Sequence, residues 1–297
     1  MANTVSFSRD VYPALSKVIF AEQKRVGTVY DKIMNVLPTN RWYEEHNTEV
    51  GYGLFSVTGD GESYHQDEMY QGYYTKIQLF KYTKYFRVTE DLMRFGKYVT
   101  MGDRARDMGD KARITKETTA ALVYNQGGTT NLADGVPLFS TSHPGYPGSG
   151  ATFANILSTQ AALSYTSYQS VITALRTQVD ERGTLIQQIP RKLVVHPASE
   201  LVAREILKSA GRPDTANRAD NQLKDMTPGV ELIVNPFLTS TTMWFVICDV
   251  YYVYAYEHGG LRVRHEHDPF NNDEMVFGSY YLSTGASHYL GLYAGSL

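Results

Sequence analysis

Residues 49–88 read EVGYGLFSVTGDGESYHQDEMYQGYYTKIQLFKYTKYFRV, and seven of them are tyrosine: Tyr52, Tyr64, Tyr70, Tyr73, Tyr74, Tyr82 and Tyr85. No other stretch restricts the fold so strongly. Aromatic and β-branched residues favour strands, and TGDGES supplies a turn between two arms, so a strand pair is expected. From Tyr74 to Val88 the alternation is imperfect. It places Lys76, Gln78, Phe80, Tyr82, Lys84 and Phe86 on one side and Ile77, Leu79, Tyr85 and Arg87 on the other. A two-stranded arm is marginal alone in water, so this one lies against something. Where the chain offers no partner, another copy does. The whole chain has 23 tyrosines against two tryptophans, and a large ring with a polar tip suits interfaces that stay partly wet.

Helices are expected on both sides of this arm. Leu15, Val18, Ile19, Val26, Tyr30, Ile33 and Val36 recur at roughly helical spacing until Pro38 and Asn40 stop them. Thr89 opens a second and stronger helix, with Glu90 and Asp91 at the positive end of its dipole. Its apolar stripe is Leu92, Phe95, Val99, Gly102, Ala105 and Ala112, and the pattern runs on to Gly127-Gly128. Unbroken, residues 90–126 would span about 55 Å, although Gly96, Gly102 and Gly109 weaken it and mark points of breakage. Such a helix beside an aromatic arm points to an extended scaffold rather than a compact enzyme core.

Beyond it, TSYQSVITALRTQVDERG reads as an amphipathic helix, RKLVVHP as a short buried strand and ASELVAREILKSAG as a further helix. RPDTANRADNQLKDMTPG is polar, and VELIVNPFL and MWFVICD are strands again. Helix alternating with short buried strand predicts an α/β region over 165–250. The tail is strand-rich, with turns expected at Gly259-Gly260 and Pro269 to Asn272.

At 297 residues the chain is long enough for two domains. A net charge of −3 gives no sign of the basic face of a nucleic-acid reader. Cys248 is the only cysteine, which excludes an internal disulfide and a multi-cysteine zinc site; within MWFVICDV it reads as a small buried hydrophobe. The N-terminus lacks the apolar core of a signal peptide, and no window reaches the ~18 apolar residues of a membrane span. No phosphate-binding glycine loop is present.

Two places carry reactive side chains. LADGVPLFSTSHPGYPGSG, residues 132–150, holds Ser142 and His143, but neighbouring side chains on extended backbone point to opposite faces. The pattern G-x-S-x-G is missing, because Pro147 and Ala151 flank Ser149. In HGGLRVRHEHDP, His265 and His267 share a strand face and could chelate, with His258 across a turn. That ligand set is incomplete for zinc. A cytoplasmic hydrolase or metalloenzyme using Ser142/His143 or His265/His267 is therefore the alternative reading.

The order of segments resembles the major capsid (major head) proteins of tailed bacteriophages, in particular their Mu-like head-subunit branch. Their DG-x-x-LF-x-x-x-HP loop corresponds to Asp134, Gly135, Leu138, Phe139, His143 and Pro144. An Asn-Leu-like pair follows, here Asn155 with Ile156 in place of leucine. The P-x-x-LVV-x-P strand corresponds to Pro190 through Pro197. A V-x-P-x-L and W-(Y/F) pair ending in Asp corresponds to Val234, Pro236, Leu238, Trp244, Phe245 and Asp249. The resemblance implies an α+β chain of the Hong Kong 97-type capsid fold. Residues 1–44 would be an N-terminal arm, 45–88 an extended β-hairpin (E-loop), 89–164 a peripheral domain with the spine helix and connecting loop, 165–250 an axial domain and 251–297 return strands of the peripheral domain. It implies a non-enzymatic, cofactor-free shell protein of the virion, assembled in the bacterial cytoplasm. Its partners would be copies of itself in hexamers and pentamers, with scaffold, portal and decoration proteins besides, packaged DNA touched non-specifically on the inner face, and no membrane. Tyr64, Tyr70, Tyr73, Tyr74, Tyr82 and Tyr85 are the expected inter-subunit contacts.

Overall fold

A computed structural model describes residues 4–95, 98–209, 211 and 220–297. The chain divides into two units: residues 1–44, 78–120 and 255–284 form one, and 45–77, 121–254 and 285–297 the other.

In the first unit, α1 (Thr4–Arg25) and α2 (Tyr30–Ile33) precede β1 (Asn35–Pro38). The lead-in helix therefore ends well before Pro38: Gly27 follows it closely, and Val36 belongs to a strand. The strand-like run at 74–88 is divided at Leu79 into β3 (Tyr70–Gln78) and β4 (Phe80–Val88). Because the chain changes sheet there, the expected two faces do not carry through. In β4, Tyr82, Phe86 and Val88 turn inward, whereas Ile77 and Leu79 are buried on the opposite parity.

The helical stretch is α3 (Glu90–Arg94) and α4 (Tyr98–Asn125), 28 residues long in the second piece, or about 42 Å at ~1.5 Å per residue. Gly96 and Lys97 lie outside the described residues. The first amide of α3 donates to Asp273 (Glu90 N to Asp273 Oδ1, 3.2 Å). The buried stripe of α4 is Met101, Ala105, Met108 and Ala112, while Phe95 and Val99 face solvent. That line recurs at i, i+4, i+7 and i+11; it shares Ala105 and Ala112 with the expected stripe and has Met101 and Met108 in place of Val99 and Gly102. It packs on Leu15 and Ile19 of α1, Val88 and Val276. Gly109, a weak helix former, sits where any Cβ would strike the carbonyl of Ile19, so it permits the close approach of α1.

β10 (Val253–Asp268) and β11 (Asp273–Ala286) complete a sheet of order β1-β10-β11-β4. Gly259-Gly260 is not a turn. β10 runs straight through it with both glycines at φ +67, a left-handed conformation that glycine adopts without steric cost. The turn falls at 269–272, as expected. Lys116 is buried here, paired with Glu257 at 2.9 Å and 5.4 Å from the Tyr280 ring centroid.

The second unit holds β2 (Tyr43–Val50), which pairs with β3 in a two-stranded sheet. It also holds the short pair β5 (His143–Pro144) and β6 (Thr152–Phe153). Its core is an α/β layer: α5 (Tyr165–Arg176), β7 (Pro190–Val195), α6 (Glu200–Lys208), α7 (Gln222–Met226), β8 (Glu231–Val234), β9 (Trp244–Cys248) and β12 (Leu292–Ser296). The order is β12-β9-β7-β8, with β7 parallel to β8 and antiparallel to β9. Helix α5 starts at a capping box in which Ser164 and Ser167 satisfy each other's backbone amides. The middle of the polar stretch after α6, residues 212–219, lies outside the described residues. The last strand departs from the expected return: β12 pairs with β9, because Gly295 leaves room for the Trp244 ring that a side chain there would overlap. The core packs Tyr168, Ile172 and Leu175 on Leu193, Val195, Trp244 and Val246.

Candidate assembly surface and the loop that supports it

The loop quoted for its reactive side chains is built around His143, which is completely buried. Its Nδ1 lies 2.7 Å from Asp134 Oδ2 and its Nε2 3.2 Å from Asn155 Oδ1. Asn155 is fixed in turn. Its Oδ1 accepts from the Ser140 amide at 2.9 Å, and its Nδ2 donates to the carbonyls of Leu138 at 2.7 Å and Tyr289 at 3.4 Å. Oδ1 can therefore only accept, so His143 Nε2 must donate. The Tyr289 ring stacks on the imidazole at 4.1 Å, and His288 stacks on Tyr289 at 4.6 Å. Burial, with the carboxylates of Glu181, Asp134 and Asp180 nearby, pushes the Tyr289 hydroxyl well up.

This geometry removes the hydrolase alternative. A general base needs a free nitrogen lone pair within reach of the nucleophile, and His143 Nε2 is spent on Asn155. Ser142 turns away, its amide and hydroxyl both meeting Ser140 Oγ. The adjoining cavity, lined by Tyr73, Asp134, Pro144 and Tyr289, has a volume of ≈ 10 Å³, room for one water and no substrate. The metalloenzyme alternative fares no better. His265 Nε2 meets Ser16 Oγ at 2.9 Å, His267 Nδ1 meets Glu274 at 3.1 Å, and His258 Nδ1 donates to the carbonyl of Thr39. Among the described residues no cluster of three or more His, Cys, Asp or Glu could hold a metal. Burial, then the charge of Asp249, pushes the Cys248 thiol up to about 12, which makes it a poor nucleophile.

The motif positions thus acquire roles. Gly135 stands at φ +86 in the turn after Asp134, and Leu138 and Phe139 are buried. Asn155 is the hub that binds the loop to the last strands, and its backbone carbonyl accepts from the Ala294 amide at 2.9 Å. Sequence reasoning matched Asn155 to the motif without seeing this role.

A second set of contacts lies where the β2–β3 hairpin leaves the unit. Arg182 Nη1 meets both oxygens of Asp67 at 3.0 and 2.9 Å, and Nη2 donates to the carbonyl of Glu68. The guanidinium lies over the Tyr70 ring, 4.8 Å from its centroid. Tyr70 also stacks on Tyr146 at 4.7 Å, parallel to within 1°. Asp67 also accepts from the Gly53 amide at 2.6 Å. That amide, then Arg182, holds the Asp67 carboxyl below the usual range. Sequence reasoning did not find Arg182, since no local pattern links it to a residue 115 positions earlier.

Of the six tyrosines expected at contacts, Tyr64 is fully exposed, Tyr74 and Tyr85 are more than half exposed and Tyr70 less so. Tyr73 and Tyr82 are half-buried. Tyr82 stacks on Tyr280 at 5.2 Å and Tyr85 on Phe277 at 5.5 Å within the chain. Leu54, Phe55 and Val57, beside Tyr64 beyond the clasp, are exposed as well. The described helices include none long and apolar enough to cross a membrane.

The loop network commits His143 to a buried scaffold, and Leu54, Phe55, Val57 and Tyr64 of the hairpin stand open to solvent. The family model for phage capsid protein matches residues 72–295, and the chain belongs to that family. No curated protein sequence matches it. Solved structures share its fold at low identity. The capsid of Ralstonia phage GP4 aligns with TM-score 0.58 and 12% identity, covering 90% of this chain and 87% of that one. The virus-like particle from Pyrococcus furiosus aligns with TM-score 0.54 and 12% identity, over 95% and 97%. The capsid of cyanophage P-SCSP1u aligns with TM-score 0.56 and 10% identity, over 90% and 87%. The protein is a non-enzymatic, self-assembling structural component of the virion capsid shell, with an α+β fold resembling the Hong Kong 97 type.

Proposed function

We propose that the chain is the major capsid protein of a Mu-like head, forming an icosahedral shell from hexamers and pentamers. Residues 1–44 serve as the N-terminal arm and 45–88 as the E-loop. Residues 89–164 carry the spine helix, 165–250 form the axial domain, and 251–297 return through β10 and β11 before ending in β12. The observation that carries this reading is the hairpin tip. Leu54, Phe55, Val57 and Tyr64 project into solvent, and a neighbouring copy would cover them, with Tyr74 and Tyr85 contributing at the margins. Many modest contacts of this kind add up once a shell closes. Near-neutral charge suits a container that touches packaged DNA without sequence preference. Scaffold, portal and decoration proteins would complete the particle.

The test is deletion of residues 58–66. The truncated chain should stay folded and soluble but form no shells in electron microscopy or light scattering, whereas the intact chain forms closed particles. Normal shells from the deletion would refute the E-loop assignment, and an intact chain that stays monomeric at high concentration would refute the capsomer reading.

A further inference from the structure

The hairpin can recognise a neighbour only if its tip arrives at the right place, and ladder bonds do not set that direction. Strand pairing of β2 with β3 stops at Val50 and Tyr70, which leaves residues 51–69 as two legs outside the strands. About seven residues separate Gly53 from the turn near Asp60. At ~3.3 Å each that is a lever of about 23 Å. A swing of about 10° at its base would move the tip about 4 Å, as far as the distance that defines an apolar contact.

The base of that lever is tied at one point. Asp67 accepts from Gly53 on one leg, sits on the other leg itself, and is held through both oxygens by Arg182. The ground under Arg182 is firm. Asp180 Oδ1 accepts from the amides of Arg182 at 2.9 Å and Thr184 at 2.7 Å, Val179 bridges to Leu185, and Gly183 completes the turn at φ +80. Glu181 is fastened to His288 at 2.7 Å. The backbone of Gly145 lies so close that a Cβ there would come within 3.0 Å of the Glu181 carbonyl. A planar guanidinium that gives Nη1 to Asp67 and Nη2 to the Glu68 carbonyl while it stacks on an aromatic ring defines both a plane and a direction, which a lysine cannot.

We propose that Arg182 is the positioning residue of the hairpin: by clasping Asp67 and the Glu68 carbonyl and stacking on Tyr70, it fixes the angle at which residues 54–66 leave the subunit and so sets the geometry of the shell. This rests on the reading of the hairpin as the arm that covers a neighbouring copy. The clasp is a contact within one subunit, present before assembly, and it acts on direction rather than on the tip's own contacts.

The test compares the full-length chain with Arg182→Ala, Arg182→Lys and the 58–66 deletion. In unassembled subunits, limited proteolysis within 51–69 should rise at least tenfold for Arg182→Ala, with the urea midpoint unchanged. Its particles in electron microscopy should be broadly distributed in diameter or fail to close. Arg182→Lys should fall between, because one ammonium can reach Asp67 but cannot also hold the Glu68 carbonyl and lay a plane over the Tyr70 ring. Cleavage and diameters equal to the parent chain for Arg182→Ala, with assembly lost in the deletion, would overturn the clasp while leaving the E-loop reading intact. Normal shells from the deletion would remove the reading beneath the clasp, and the inference with it. Should Arg182→Ala fail to fold, Asp67→Asn carries the same two readouts and the same expectations.

Discussion

Asn155→Ala puts the buried loop network to its hardest test. The truncation removes four hydrogen bonds of 2.7, 2.9, 3.2 and 3.4 Å, to Leu138, Ser140, His143 and Tyr289. Each is worth about 1 kcal/mol net, and each partner left buried and unpaired adds about 1–3 kcal/mol. Because the groups share one site their costs overlap, and a loss of about 3–5 kcal/mol is expected. With an m-value of ~3 kcal/mol/M the urea midpoint falls by about 1–1.7 M. The assay is urea unfolding of the unassembled full-length subunit, followed by far-UV circular dichroism and by fluorescence of the buried Trp244. Asn155→Asp separates bonding from space-filling. It keeps the shape, but it sets a carboxylate oxygen against the Leu138 carbonyl in place of the Nδ2 donor. It should be at least as damaging as the alanine variant. A midpoint within about 0.3 M of the parent for either variant would show that the hub role assigned to Asn155 is wrong.

Two further expectations concern titration and reactivity. Burial opposes the charge on Glu181, but the hydrogen bond and charge of His288 outweigh it and its carboxyl sits below the usual 4.5. Its contribution is therefore present above the usual carboxylate range and is lost as pH falls through the lowered value. Glu181→Gln should flatten the acid limb of stability against pH, and an unchanged limb would contradict the ion pair. The Cys248 thiol, pushed up to about 12 by burial, should ignore a thiol reagent at pH 8 in the folded subunit and react fully in denaturant; rapid labelling of native protein would place it at the surface.

Much of the fold was legible because local periods encode it. The short apolar runs LVV and WFVIC could only be buried strands, and the alternation with helices was enough to forecast the α/β region. The aromatic run announced a hairpin. The misreadings have physical causes. Gly259-Gly260 signals a turn by composition, yet a strand absorbs two left-handed glycines when its neighbours hold the ladder. Gly102 was placed on the buried stripe because glycine and alanine are interchangeable by size, and Met101 and Met108 won by filling the space against α1. The break at Leu79 was invisible because a strand that changes sheet keeps its composition.

The sequence by itself determined the kind of protein this is. The order of its segments and the DG-x-x-LF-x-x-x-HP loop point to a capsid subunit without a single coordinate. What only the tertiary structure decided is what His143 is for. Asp134, Ser142 and His143 are the ingredients of a hydrolase, and a list of residues cannot tell a catalytic triad from a scaffold. The difference is which group stands within about 3 Å of Nε2. Here it is Asn155, brought there by the β5–β6 pairing, whose amide oxygen accepts a hydrogen bond from Nε2 and so ties up the nitrogen a general base would need free. Arg182 shows the same limit. Local periods reach a few residues, and the contact that aims the hairpin spans 115.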